Sequence, residues 1–310
     1  MTRSALLIIG TRGSPLALAQ ANEARRSLAE AHGWEIERIT LKVIRTSGDR
    51  IQDRPLAEAG GKGLFTKEID AALLAGAIDA AVHSAKDLPS LMPEGLAIGA
   101  YLPREDVRDA LISALADTIE GLPRGATFGA ASVRRQAQAL SLRPDLRPVL
   151  LRGNVETRLK KAEQGAVGAT LLALAGLKRL GLADRARAAL DVETFLPAPG
   201  QGAIAIAARS ADVRMREALK AVSDAGTMAA VTAERAFLAE LEGSCRTPIA
   251  GLARLEAGRL RFRGEALRPD GSERFAVAAE GAPSDAERLG REAGRELAAR
   301  LPEGVLVRGG

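Results

Sequence analysis

Residues 5–15 read Ala5-Leu6-Leu7-Ile8-Ile9-Gly10-Thr11-Arg12-Gly13-Ser14-Pro15, and this stretch decides the fold class. A short apolar run stops at Gly10. Ser14 can cap a helix, and Pro15 suits its first position, where a missing N–H leaves nothing unpaired. The Ala/Leu-rich residues up to 31 continue as that helix. Working outward, residues 36–43 are β-like, 65–74 helical with Thr66 as cap, 78–83 a short strand and 96–101 another, broken by Pro103. Strands alternating with helices predict a mostly parallel sheet covered by helices. The rhythm restarts after Pro103: strand at 127–128, a helix from Ser132 to 141, strand at 148–151, helix at 155–163, strand at 169–173 and a helix toward 180. Leu196-Pro-Ala-Pro-Gly-Gln-Gly202 is loop or linker by its punctuation, and 203–207 is strand-like again. The last part changes order. A helix capped by Thr227 runs to 241, three β-like segments follow at 249–255, 260–266 and 273–279, and a final helix runs from Ser284 to about 301. That is a small α+β domain.

The bulk numbers agree with this division. The chain has 310 residues, enough for two or three domains. It is 46% hydrophobic and 27% charged, as a soluble globular protein is. No run reaches the roughly 18 apolar residues that span a membrane, and residues 1–9 read as a first strand rather than a signal peptide, so a cytoplasmic location is expected. The net charge is +5, from 44 Lys and Arg against 39 Asp and Glu, which favours anionic partners. Nucleic acid is a weak candidate, because aromatics make up only 3% and single-strand binders stack bases on aromatic rings. A small polyanion fits as well or better. One cysteine, Cys245, excludes an internal disulfide, and Cys and His are too few for a zinc cluster. Cys245 is an inert core residue or a chemical handle, and its place in a predicted turn weighs toward the handle.

Arginines recur at predicted strand–helix junctions. Arg12 precedes Ser14, Arg134 and Arg135 lie in the first turn after Ser132, Arg152 precedes Gly153-Asn154, and Arg158 is a turn further on. A helix N-terminus carries partial positive charge, so a cation there costs stability unless an anion is near. The repetition points to a shared anionic ligand, and guanidinium groups grip carboxylates bidentately. Gly60-Gly61-Lys62-Gly63 lacks the spacing of a phosphate-binding P-loop and reads as a surface loop or a mobile lid. His83-Ser84-Ala85-Lys86-Asp87-Leu88-Pro89 is the densest polar cluster and sits where a strand ends. Asp87 is a plain ion-pair partner of Lys86 or, in a cleft lined by arginines, an ionised carboxylate that steadies a positive intermediate or handles protons. With two histidines and no Ser-His-Asp order, a hydrolase triad is not indicated.

Seven segments in order, spanning nearly the whole chain, resemble the signature segments of porphobilinogen deaminases. They are Ile9-Gly-Thr-Arg-Gly-Ser-Pro-Leu-Ala, Gly60-Gly-Lys-Gly-Leu-Phe, His83-Ser-Ala-Lys-Asp-Leu-Pro, Ser132-Val-Arg-Arg-Gln, Leu151-Arg-Gly-Asn-Val-Glu-Thr-Arg-Leu, Pro199-Gly-Gln-Gly-Ala and Gly243-Ser-Cys-Arg-Thr-Pro-Ile. The resemblance implies two α/β domains like type II periplasmic binding proteins, residues 1–102 with 200–221 and residues 103–199, with the active cleft between them. A small α+β domain, 222–310, would carry the cysteine. It implies a dipyrromethane cofactor held by a thioether to Cys245, and stepwise addition of four porphobilinogens, each losing ammonia, before hydrolysis releases hydroxymethylbilane. Arg12, Ser14, Arg152 and Arg158 would grip carboxylates of the substrate and the growing chain. Lys86, Asp87, Ser132, Arg134 and Arg135 would hold the cofactor, with Lys86 and Asp87 catalytic and Asp87 steadying the azafulvene cation left as ammonia departs. Lys62 and Phe65 would lie on a mobile loop. No metal, nucleic acid or membrane is implied, and the protein would be a monomer. Where the family has Gly-Thr-Ser-Ser, this chain has Gly129-Ala130-Ala131-Ser132, which removes two hydroxyls and predicts a weaker grip on the cofactor. The competing reading is a two-lobed binder of a small anion, which needs neither Cys245 nor Asp87.

Overall fold

The computed structural model describes residues 6–50, 65–241, 247–303 and 305. The first lobe opens with β1 (Leu7–Thr11), α1 (Pro15–His32), β2 (Ile39–Val43) and a single turn α2 (Ser47–Arg50), then α3 (Lys67–Leu74), β3 (Ala80–Ser84) and β4 (Leu96–Tyr101). The chain crosses to a second lobe of β5 (Asp109–Ser113), β6 (Thr127–Ala130), α4 (Val133–Leu142), β7 (Arg147–Leu150), α5 (Val155–Glu163), β8 (Ala169–Ala173), α6 (Leu174–Arg179) and β9 (Ala188–Ala189). It returns to the first lobe as β10 (Ile204–Arg209) and α7 (Val213–Lys220). A C-terminal α+β domain follows, with α8 (Ala225–Glu240), the antiparallel meander β11 (Ile249–Glu256), β12 (Arg259–Leu267) and β13 (Arg274–Gly281), and α9 (Ala286–Arg300).

The two larger sheets share one plan. The first has the order β2-β1-β3-β10-β4 and the second β7-β6-β8-β5-β9. In each, the strand that arrives from the other lobe is inserted antiparallel: β10 between β3 and β4, and β5 between β8 and β9. Reciprocal insertion at a double crossover is the type II binding-protein plan, and it sets the cleft between the lobes. β10 lies inside its sheet, and Ile204, Ala205, Ile206, Ala207 and Ala208 are all fully buried. Such a strand needs apolar side chains on both faces, which is why it reads as a continuous apolar run.

The second crossover explains Pro199-Gly-Gln-Gly. Gly200 has φ +77 and Gly202 φ +87, and a Cβ on Gly202 would come within 2.4 Å of the Glu105 carbonyl oxygen. Only glycine takes this backbone and this approach. The C-terminal domain clamps both crossovers through one fully buried carboxylate. Glu234 accepts from both terminal nitrogens of Arg104 at 2.7 and 2.9 Å, from the Gly200 N–H at 2.6 Å and from the Ala253 N–H at 2.8 Å. With every lone-pair direction met, the charge is affordable in the interior.

Several elements differ from the sequence-based expectation. β5, β9 and α7 carry too little periodicity to stand out, β5 because its polar first residue is buried. The α8 cap is Asp224, which accepts from the Thr227 N–H at 2.7 Å, and Thr227 itself lies inside the helix, its hydroxyl accepting from the Arg104 N–H. α9 begins at Ala286 rather than Ser284.

Candidate active site

The β1–α1 turn is built as its residues dictate. Ser14 caps α1 by accepting from the Ala17 N–H at 3.3 Å, and the buried Thr11 hydroxyl donates to the Ala17 carbonyl at 3.2 Å. The turn sets the Arg12 guanidinium over the Phe65 ring, 4.2 Å from its centroid. The parallel neighbour β3 runs into a 3-10 turn, Ala85–Asp87. Arg12, Ser14, Phe65, His83 and Asp87 thereby line one recess of about 60 Å³ at the carboxyl ends of adjacent strands, the usual ligand position in open α/β sheets. Asp87 is exposed there.

A second group gathers around Asp109, at the start of β5 and fully buried. Its carboxylate accepts from Arg134 at 2.8 Å, from Arg135 at 2.7 and 3.2 Å, and from the Gln201 amide at 3.0 Å. Burial alone would raise the Asp109 carboxyl; the two guanidiniums outweigh it and hold it well below the usual carboxylate range. Arg134 also donates to Gln138 at 2.8 Å and to the Leu196 carbonyl at 2.9 Å. Gln138 reaches on to Glu265 of the C-terminal domain at 2.7 Å. Gln201 ties in the first lobe, accepting from Lys86 at 3.2 Å. Burial, then the Arg135 charge, pushes Lys86 down to about 8, against the pull of Asp87 and Asp109.

Ser132 caps α4, accepting from the Arg135 N–H at 3.4 Å. At the β7–α5 junction Asn154 caps α5, and Arg158 donates to the Gly153 carbonyl at 2.9 Å. Burial, then the like charges of Arg135 and Arg152, push Arg158 down to about 10, with Asp87 opposing. These mutual influences put Lys86 of the first lobe within electrostatic reach of Arg135, and Arg158 within reach of Arg135, Arg152 and Asp87. Positive charge is crowded beside one exposed carboxylate, a site that favours an anionic ligand.

Two family models match the chain. Residues 7–217 match "Porphobilinogen deaminase, dipyromethane cofactor binding domain", and residues 228–299 match "Porphobilinogen deaminase, C-terminal domain". The chain belongs to the porphobilinogen deaminase family. Porphobilinogen deaminases of Nitrobacter hamburgensis and Nitrobacter winogradskyi are each 58% identical over 298 residues, covering 96% of this chain and 94% of theirs. That of Paracoccus denitrificans is 55% identical over 294 residues, covering 95% and 94%. Among solved structures, a TRAP periplasmic solute binding protein from Desulfovibrio salexigens aligns at TM-score 0.43 and 11% identity, covering 71% of this chain and 73% of its own. Substrate binding domain 2 of Lactococcus lactis GlnP aligns at TM-score 0.42 and 11% identity, covering 72% and 89%.

Of the deaminase residues expected from sequence, Arg12, Ser14, Phe65 and Asp87 share the recess, while Lys86, Arg134 and Arg135 join the Asp109 network. Lys62 and Cys245 lie outside the described residues. Arg134 is where the structure departs most from a ligand-gripping arginine: 5% exposed, it turns its guanidinium inward to Asp109, Gln138 and Leu196. Two of the cations at helix starts thus answer to an internal carboxylate. Sequence reasoning gave His83 no role of its own and missed Asp109, Gln201 and the pair Arg179–Glu23, whose 3.0 Å contact joins α6 of one lobe to α1 of the other. Of the missed residues, only Gln201, a polar residue between two glycines of a signature segment, carried a usable signal. The donor set suits a dipyrromethane: its acidic side chains need cations, and its pyrrole N–H groups need an acceptor such as Asp87.

Proposed function

We propose that the protein is a transferase that joins four porphobilinogen molecules stepwise, with loss of ammonia, on a dipyrromethane held by the Cys245 thiolate, and releases hydroxymethylbilane by hydrolysis. The observation that carries this reading is the crowding of Arg135 and Arg152 on Lys86 and Arg158, both of which also feel Asp87, in a chain of this family. Bound through Cys245, the dipyrromethane would supply the free nucleophilic pyrrole carbon on which the chain is begun. Arg12 and Ser14 bind a substrate carboxylate on one lobe, and Arg152 and Arg158 bind carboxylates of the lengthening chain on the other. Lys86, Ser132 and Arg135 hold the cofactor's acidic arms, with Arg134 fixing Arg135 from behind through Asp109. Asp87 accepts the pyrrole N–H groups and offers its negative charge to the cation that develops as ammonia leaves, the point where fixed charge lowers a barrier most. Phe65 borders the recess.

The same reading divides the chain into 1–102 with 200–221, 103–199 and 222–310, and makes the enzyme a cytoplasmic monomer. No helix among the described residues is long and apolar enough to cross a membrane, and no group of three or more His, Cys, Asp or Glu among them could hold a metal ion. Intact mass of the purified protein tests the reading. An excess of two porphobilinogens less two ammonias is expected, and it should vanish together with activity in Cys245→Ser. A bare wild-type protein that stays bare after incubation with porphobilinogen overturns it.

A further inference from the structure

His83 has no task in the mechanism above, yet it is 6% exposed, lines the recess beside Arg12 and Asp87, and its Nε2 is buried with no hydrogen-bond partner. We propose that His83 is a substrate-binding residue whose Nε2–H donates a hydrogen bond to the pyrrole side-chain carboxylate that Arg12 draws into the recess. This rests on the proposed function for the identity of the ligand.

The other polar groups near the ring are already engaged. The Gln20 amide and the Ser84 hydroxyl bond each other at 2.9 and 3.0 Å, and Ser14 caps α1. His83 pairs with Ala205 of β10, and that register fixes the face of the sheet from which its side chain emerges. A buried donor left unmet destabilises the fold, and such groups in native proteins are ones that a ligand or water completes. Burial, then the Arg12 charge, lowers the imidazole to about 4, so at neutral pH it is uncharged and presents one N–H. A neutral donor beside a guanidinium complements a carboxylate, whereas the substrate's N–H groups have Asp87. Size agrees: about 60 Å³ admits a few water-sized groups, which suits one carboxylate arm.

Steady-state kinetics of the cofactor-loaded enzyme with porphobilinogen test this, comparing His83→Phe, which keeps a ring without the donor, with His83→Asn, which restores an N–H. KM should rise about tenfold or more in His83→Phe with kcat within about twofold, and return to within about threefold of wild type in His83→Asn. An unmoved KM in His83→Phe, a loss confined to kcat, or equal losses in both variants overturns the proposal. If the phenyl ring prevents folding, His83→Gln against His83→Met makes the same comparison. Wild-type turnover is measured alongside. Its absence removes the proposed function and this inference with it, while normal turnover with an unmoved KM removes only the role of His83.

Discussion

The knot around Asp109 and the mouth of the cleft use the same residue types to opposite ends. At Asp109 two guanidiniums and an amide converge on one fully buried carboxylate, whose two oxygens accept four hydrogen bonds. The knot links both crossovers and reaches the C-terminal domain through Gln138 and Glu265. A few residues away, Lys86 and Arg158 are both pushed down by burial and by neighbouring cations. Charge in the knot is closed within the protein and fixes geometry. Charge on Lys86 and Arg158 is held against burial and neighbouring cations, at a cost that an anionic ligand relieves. Arg135 belongs to both regions, since it bonds Asp109 and repels Lys86 and Arg158.

The sharpest way to break this contrast is to remove one acid from each region. Asp87→Ala should cut turnover by about 10³-fold and leave unfolding in urea unchanged within about 0.5 kcal/mol, because Asp87 is exposed. Asp109→Asn should do the reverse, costing about 3–5 kcal/mol of stability because two cations stay buried without their anion. If Asp87→Ala unfolds, or Asp109→Asn melts like wild type, the two regions are not distinct. A middling effect is expected with pH. Lys86 sits at about 8 against an ordinary 10.5, so its charge in the folded cleft is lost as pH rises through about 8. The burial cost to stability is full below that point and lifts toward 10.5. KM for porphobilinogen should therefore climb above about pH 8, and Arg135→Gln, by removing a like charge, should move the break to higher pH. A break that stays put in Arg135→Gln assigns it to another group. The smallest effect concerns Ala130 and Ala131. Restoring hydroxyls in Ala130→Thr with Ala131→Ser should improve cofactor loading, by less than about tenfold, read as the loaded fraction by intact mass. An unchanged fraction removes the two alanines from the cofactor's grip.

Periodicity and punctuation alone were enough for the alternating lobes. Val155–Glu163, Ala169–Ala173 and Leu96–Tyr101 read correctly to the residue, as did the caps Ser14 and Ser132, because an N-cap satisfies its own helix within three residues. The polar clusters at strand ends were legible for the same local reason, and the order of seven segments pointed to the family. The partners were not legible. Asp109 lies 25 and 26 positions from Arg134 and Arg135, and Gln201 is 92 positions from Asp109. Nothing in a sequence tells a guanidinium turned inward, like Arg134, from one beside the cleft. That choice depends on which strand is inserted between which, and the double crossover that brings β5 and β10 into each other's lobes is a long-range event. The sequence by itself therefore determined the elements, the chemistry available and the kind of ligand. The tertiary structure alone decided which charges cancel inside the protein and which are kept for a ligand, because Coulomb and hydrogen-bond energies depend on distance and burial, and both are set only when the lobes close on each other.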